Sequence, residues 1–389
     1  MSDSVNSTKD LPETGITPGG TTGACRDVLS KDHARRGKPP LHFADMTEDE
    51  RIAKAKDLGL PKFRVKQLAN HYYGHFDVAA EEFSDFPAAK RAEAAEAFFP
   101  TLITEVTRQV ADEGTTIKTL WRLFDGSLIE SVLMRYPTRT TLCISSQVGC
   151  GMGCPFCATG QLGLTRNMSA GEILEQVRVA AKAMHDGEVA GGLGRLSNIV
   201  FMGMGEPLDN TDEVLRALEI ITAEWGFGWS PTRITLSTAG VVPELRRFLD
   251  ATKVHLAVSL HNPFHEERME IMPVERAWPI AEVAAILREY DFTHQRRVSF
   301  EYIVMSGLND SPRHIRELTR LLNGIKCRIN LIRFHRIPDS PYFSPGDEAM
   351  VRFRDALTAR GIQTTIRASR GEDIQAACGL LSTRLKGGI

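Results

Sequence analysis

The sequence predicts an α/β protein: an open, partial (β/α)6 barrel preceded by a small helical domain and a β-hairpin extension. Three observations carry this. Strand-like runs rich in β-branched residues recur six times from residue 140 onward, each followed by a helical pattern, as parallel βα units require. Upstream, TEDERIAKAKDLGL, KFRVKQLANHYYGHF and PAAKRAEAAEAFF show helical apolar spacing between breakers. Between the two regions, TTIKTLWRLFDGSLIESVLMRY alternates around Asp125-Gly126, a strong hairpin signal.

The elements follow in order. Residues 1–38 are rich in Gly, Ser, Thr and Pro and end in a basic run, a composition that cannot offset ordering, so a disordered tail is expected. Residues 39–104 form the helical domain. Its Arg51, Lys54, Lys56, Lys62, Arg64 and Lys66, with Tyr72 and Tyr73 nearby, suit an accessory RNA-binding role, or simply a solvated helix face. Residues 105–138 hold the hairpin, with Glu130 on its second strand, where it reads by itself as a solvated side chain. The barrel core spans 139–385, with strands expected at 140–146, 196–202, 232–238, 253–260, 297–304 and 327–334. Six units are too few for a closed eight-stranded barrel.

Composition narrows the class. The 389 residues are 42% apolar and 25% charged with net charge −2, so any nucleic-acid site has to be a local basic face. The amino terminus has no apolar signal core, and no run of about 18 apolar residues occurs, which predicts a cytoplasmic chain without membrane contact. Without a heptad or other assembly signal, a monomer is expected. The seven cysteines are odd in number, and four lie between Cys143 and Cys157, which points to metal or redox chemistry rather than a disulfide framework.

In a βα barrel, functional groups gather just after the strand ends. Here those positions hold the cysteine loop, then Gly205-Glu206, then Ser237, then Ser259-Leu260-His261, and finally His335. Thiolates at Cys150, Cys154 and Cys157 can each hold one iron of a four-iron cluster, leaving the fourth iron open to a chelating molecule. Three cysteines and a remote histidine could instead close a zinc tetrahedron. Cys143, on one strand face with Thr141 and Ser145, reads as a buried strand thiol or a reactive one. Cys378, in the small-residue stretch AACG, reads as a helix-packing thiol or a mobile one; Cys327 reads as core, and Cys25 lies in the tail.

CGMGCPFC resembles the CxxxCxxC loop of radical S-adenosylmethionine (SAM) enzymes, and MGMGEP resembles that superfamily's SAM-binding motif. Together with SLH and RGEDIQAACG they resemble the RlmN/Cfr family of radical SAM methyltransferases over about residues 40 to 385. The resemblance implies a [4Fe-4S] cluster on Cys150, Cys154 and Cys157, and two SAM molecules per methylation. It implies SAM contacts at Gly205, Glu206, Ser237, Ser259, Leu260, His261 and His335. It further implies methylation at C2 of an adenine in 23S rRNA and of the adenine beside the tRNA anticodon, with a reducing electron-donor protein. In the family scheme Cys378 is methylated by one SAM. The radical made from a second SAM takes a hydrogen from S-methyl-Cys378, and the carbon radical adds to the adenine. Glu130 then removes the ring proton, and Cys143 resolves the adduct through a transient disulfide with Cys378. Adenine C2 lies between two ring nitrogens and lacks a lone pair, so it cannot attack the SAM methyl directly.

The chain departs from many relatives at His335, where they have Asn, and at Gln375 and Leu380, where they have Asp and Gln. Three alternatives stay open: a Cfr-like adenine C8 methyltransferase, a radical SAM enzyme with a small-molecule substrate, and a non-enzymatic zinc or iron-sulfur RNA-binding module.

Overall fold

The structure, a computed structural model, describes residues 38–292, 297–337, 340–368, 370–371, 373–376 and 380–381. The expected tail, Cys25 and Cys378 lie outside the described residues.

The helical region forms where its caps and spacing predict. Helix α1 (Glu48–Asp57) starts at a capping box: the Thr47 hydroxyl accepts the Glu50 N–H at 3.3 Å, and the Glu50 carboxylate accepts the Thr47 N–H at 2.7 Å. Helix α2 (Phe63–Ala69) runs into a π-helical turn, Asn70–His75, and α3 (Ala88–Phe98) follows. Tyr72 and Tyr73, expected near RNA, are instead 0% and 5% exposed, in one core with Phe43, Phe98 and Phe99. The Tyr72 hydroxyl donates to Glu175 on the barrel at 2.9 Å. Arg51 is buried too, its Nε donating to the Phe43 carbonyl at 2.9 Å and its Nη2 to the Tyr73 hydroxyl at 3.2 Å. These residues bind the helices to the barrel because large aromatic surfaces gain most by leaving water. Lys56, Lys62 and Lys66 remain exposed.

The hairpin is part of a three-stranded antiparallel meander: β1 (Ile103–Ala111), β2 (Thr116–Leu123) and β3 (Leu128–Tyr136). Gly126, at φ +83°, makes the β2–β3 turn. β4 (Arg139–Cys143) pairs antiparallel with β3 and opens the barrel. A two-stranded ribbon, β5 (Gln147–Gly149) and β6 (Leu164–Asn167), then flanks a short helix, α4 (Ala158–Gln161). From there helices and strands alternate: α5 (Ala170–His185), β7 (Asn198–Phe201), α6 (Thr211–Thr222), β8 (Ile234–Thr238), α7 (Val242–Ala251) and β9 (His255–Ser259). They continue with α8 (His265–Ile271), α9 (Ile280–Arg288), β10 (Val298–Val304), α10 (Pro312–Leu321), β11 (Cys327–Arg333), α11 (Asp347–Thr358) and β12 (Gln363–Ile366).

The ten strands of the main sheet run in the order β1-β2-β3-β4-β7-β8-β9-β10-β11-β12, parallel from β4 onward. The sheet is open, as expected of a partial barrel. It has one parallel strand more than the six expected, because β12 has only four residues, of which Gln363 is exposed and Thr365 faces solvent, so it leaves little apolar signal.

Register separates the two faces of the sheet. Leu142, Ile199 and Ile234 are cross-strand neighbours, as are Val258, Phe300 and Ile329; all are at most 1% exposed and lie under the helices. The opposite face lines the lumen. Cys143 is in register with Val132 on one side and Val200 on the other, and Ser259 with Glu301 and Asn330, so this face is polar and partly open.

Candidate active site

The chain after β4 is tied to the chain after β7. Gly203 N–H donates to the Ile144 carbonyl at 3.0 Å, Met204 N–H to the Ser145 hydroxyl at 2.9 Å, and Glu206 N–H to Gln147 Oε1 at 2.8 Å. The contact is close enough to require glycine. A Cβ on Gly203 would lie 2.5 Å from the Ile144 carbonyl oxygen, and Gly205, at φ +104°, would place one 2.6 Å from the Gln147 side chain. The MGMGEP spacing is thus a packing requirement of this junction.

Glu206 is buried. Its Oε1 accepts the Leu208 N–H at 3.0 Å and its Oε2 the Ala239 N–H at 2.8 Å, which fixes the loops after β7 and β8 to each other. Burial pushes its carboxyl up to about 7 against these hydrogen bonds. The Thr238 side chain is a third hydrogen-bond partner of the same carboxylate.

Cys150, Cys154 and Cys157 follow β5. Cys150 N–H donates to the Gly163 carbonyl at 3.0 Å, and Cys157 N–H to the Cys154 carbonyl at 3.1 Å. Cys150 and Cys154 are buried, and Phe156, Met272, Ile303, Met305 and Phe334 form an apolar shell with Cys154. Burial pushes the Cys150 thiol up to about 12 and raises the Cys154 thiol well above its ordinary value, and the neighbouring thiols add to it. Such a site favours thiolates only when a strongly positive group sits among them. The donor set and its dry shell fit an iron-sulfur cluster. Among the described residues no three His, Cys, Asp or Glu side chains converge on one point in the way a single metal ion needs. A cube asks three thiolates to bind three different irons, so it does not call for that convergence.

Ser259-Leu260-His261 closes the site from β9. His261, at φ +52°, is buried; its Nδ1 accepts the Ile303 N–H at 3.0 Å, and its ring meets Phe156 edge-on at 5.0 Å between centroids. A backbone N–H can only donate, so the imidazole is the neutral Nε2–H tautomer. Burial, helped by the Arg268 charge, pulls its pKa down to about 3. Ser237 and Ser259 lie on the lumen face, half-buried.

Arg268 is not legible as a site residue from the sequence. This side chain is fully buried and donates to the carbonyls of Ala239 (3.0 Å), Ser259 (2.8 Å) and Leu260 (2.9 Å), while pairing with the buried Glu275. It fixes the ends of β8 and β9 together. In HEERMEIMPVER its charge reads as a solvated helix face, and only three-dimensional packing shows otherwise.

Cys143, His335, Met202, Arg367, Arg370, Ala376 and Leu381 line one cavity. Ala376 and Leu381 flank Cys378 in the sequence, and the Thr159 hydroxyl, two residues past Cys157, donates to the Leu381 carbonyl at 2.6 Å. The structure therefore brings both sides of the Cys378 segment to the Cys143 cavity, and its carboxyl-terminal side to the end of the cysteine loop. Gln375 adopts φ +55°, and Leu380 packs with Ala158. Glu130 is buried, not solvated as it reads in isolation, and its Oε1 lies 3.1 Å from Lys118 Nζ.

A family profile described as the Radical SAM superfamily matches residues 144–319. A probable dual-specificity RNA methyltransferase RlmN of Bifidobacterium adolescentis is 65% identical over 96% of this chain and 99% of its own length. One with the same description from Rhodococcus erythropolis is 47% identical over 90% of this chain and 96% of its own. The crystal structure of a radical SAM methyltransferase from Sphaerobacter thermophilus superimposes with a TM-score of 0.83 at 43% identity, covering 88% of this chain and 99% of that one.

Proposed function

This chain belongs to the RlmN family of radical SAM RNA methyltransferases, and from that premise we propose that it methylates C2 of an unstacked adenine in 23S rRNA and of the adenine beside the tRNA anticodon, through a methyl group carried on Cys378. The observation that supports this reading most directly is the cavity shared by Cys143 and the residues on both sides of Cys378.

Membership implies a four-iron cluster and SAM. Cys150, Cys154 and Cys157 would hold the cluster, and the loops at Gly205-Glu206, Ser237, Ser259-Leu260-His261 and His335 would hold SAM. Together these groups supply, when bound, the reductive cleavage of SAM to a carbon radical. The chain's own residues do the rest. The apolar shell of Phe156, Met272 and Phe334 keeps water from Cys154. Cys378 carries the methyl group to the base. Glu130 takes the proton from the ring carbon, and Cys143, on the same sheet face, attacks Cys378 Sγ to release the RNA, leaving a disulfide that a thiol reductant restores. Arg367 and Arg370, at the cavity wall, suit the phosphates on either side of an extruded base.

The test is mass analysis of nucleosides from 23S rRNA and tRNA methylated by purified, anaerobically reconstituted protein. The reading expects 2-methyladenosine from wild type and none from Cys378→Ala. An 8-methyl product would move the chain to the C8 class, and methylation that survives Cys378→Ala would refute the carrier role.

A further inference from the structure

We propose that Lys118 is the positioning residue for proton removal at Glu130: its ammonium holds the carboxylate charged and aimed at the target base on the lumen face. The proposal rests on the reading above and adds a residue to it.

The geometry points to this pair. Lys118 on β2 is in direct register with Val132 on β3, and Val132 with Cys143 on β4, so a single row crosses three strands from the ammonium to the thiol. Glu130 stands two residues from Val132 on the same strand, hence on the same face. Lys118 Nζ approaches Glu130 Oε1 to 3.1 Å, with the two side chains 5% and 4% exposed. The Glu130 main chain is held as well, since its carbonyl accepts the Ser145 hydroxyl at 2.6 Å. The same hydroxyl receives the Met204 N–H, so the base is built onto the junction that forms the SAM-facing loops.

A buried ion pair is a poor stabilising device, because desolvating two charges offsets most of their attraction, and an apolar pair of similar volume does as well or better. Placing one beside Cys143 is explained if the carboxylate must be ionised where water is scarce. In the step concerned, the bond broken is ring C–H, the bond formed is O–H on Glu130, and the electron pair stays with the base. Lys118 supplies no atoms. It fixes the acceptor's charge and aim.

The experiment compares wild type, Lys118→Met, Lys118→Arg, Glu130→Gln and the Lys118→Met/Glu130→Gln double variant in single-turnover reactions with an RNA hairpin containing the target adenine. 5′-Deoxyadenosine, covalent RNA–protein adduct and released methylated RNA are quantified, with protium or deuterium at the adenine carbon. Lys118→Met is expected to form 5′-deoxyadenosine at the wild-type rate but release methylated RNA ten- to a hundredfold more slowly. Adduct should accumulate, with a larger deuterium effect on release. Lys118→Arg should recover most of the rate. The double variant should be no slower than Glu130→Gln, because Lys118 acts only through Glu130; this comparison also decides the matter if loss of the ammonium prevents Lys118→Met from folding. Wild-type release by Lys118→Met, or a double variant more than tenfold slower than Glu130→Gln, overturns the proposal while the reaction reading stands. Wild-type release by Glu130→Gln overturns both.

Discussion

At the scale of single residues, the site depends on buried polar side chains that each serve two or more backbone groups. Glu206 takes the N–H groups of Leu208 and Ala239, and Arg268 takes three carbonyls at the ends of β8 and β9. Glu206→Gln would set an amide N–H2 against one of those backbone donors, at about 1–3 kcal/mol for an unmet buried donor. The expected outcome is a lower urea midpoint and weakened SAM retention in equilibrium dialysis; a variant with wild-type values in both would contradict the role. The candidate residues at this scale stand out in the sequence because their type and spacing are rare, as with Cys150, Cys154 and Cys157. Arg268, Glu275 and Lys118 were not, since a lone charge in a helix or strand reads as solvated until its partner, distant in sequence, is placed beside it. Glu130 was legible only through resemblance, and its burial came from the structure.

At the scale of elements, short loops do the positioning. Helix α4 lies on the cysteine loop so closely that a Cβ at Gly160 would stand 2.9 Å from both the amide nitrogen and the carbonyl oxygen of Cys154. Backbone cannot yield there as a flexible side chain would, so Gly160→Ala must displace the loop, an overpacking on the order of 1–3 kcal/mol. We expect a reduced iron content per chain after anaerobic reconstitution, read by colorimetric iron assay, with a far-ultraviolet circular dichroism spectrum like wild type. Full iron loading would show that the loop tolerates the shift. The barrel strands were legible because β-branched runs between helical patterns have few other interpretations. β1 and β12 were not: β1 mixes Glu105, Arg108 and Gln109 into an edge strand with one wet face, and β12 is four residues long. The β5–β6 ribbon escaped because it is set by pairing across the cysteine loop rather than by periodicity.

At the scale of the whole molecule, the amino-terminal helices and the barrel share one core, and acid should loosen it at His42. This ring is buried between Tyr72 and Phe99, accepts the Ala44 N–H at Nδ1, and has its pKa lowered to about 4, chiefly by burial. The unfolded chain binds that proton near 6.5 and the folded one only near 4, so the stability is complete above 6.5 and is lost as pH falls toward 4. Between pH 7 and pH 5 the loss amounts to about 2 kcal/mol. His42→Phe keeps the aromatic contacts without the titration, and its urea midpoint should fall less than wild type over that interval; equal slopes would contradict the assignment. That the helices anchor through Tyr72, Tyr73 and Arg51 was hidden in the sequence, because aromatic and basic residues in proximity describe an RNA face and a buried junction equally well. Among the described residues, no helix is long and apolar enough to cross a membrane.

The proposed route, in which the methyl group reaches RNA as a carbon radical borne on the Cys378 sulfur, is open to isotopic labelling of that methyl. With SAM deuterated in all three methyl positions, and carrier cysteine unmethylated at the start, a group that gives up one hydrogen on the protein and regains one from solvent-exchangeable sites arrives carrying two deuteria. Mass spectrometry of the product 2-methyladenosine should find that doubly deuterated methyl. A product with all three deuteria would mean direct transfer from SAM and would contradict the account.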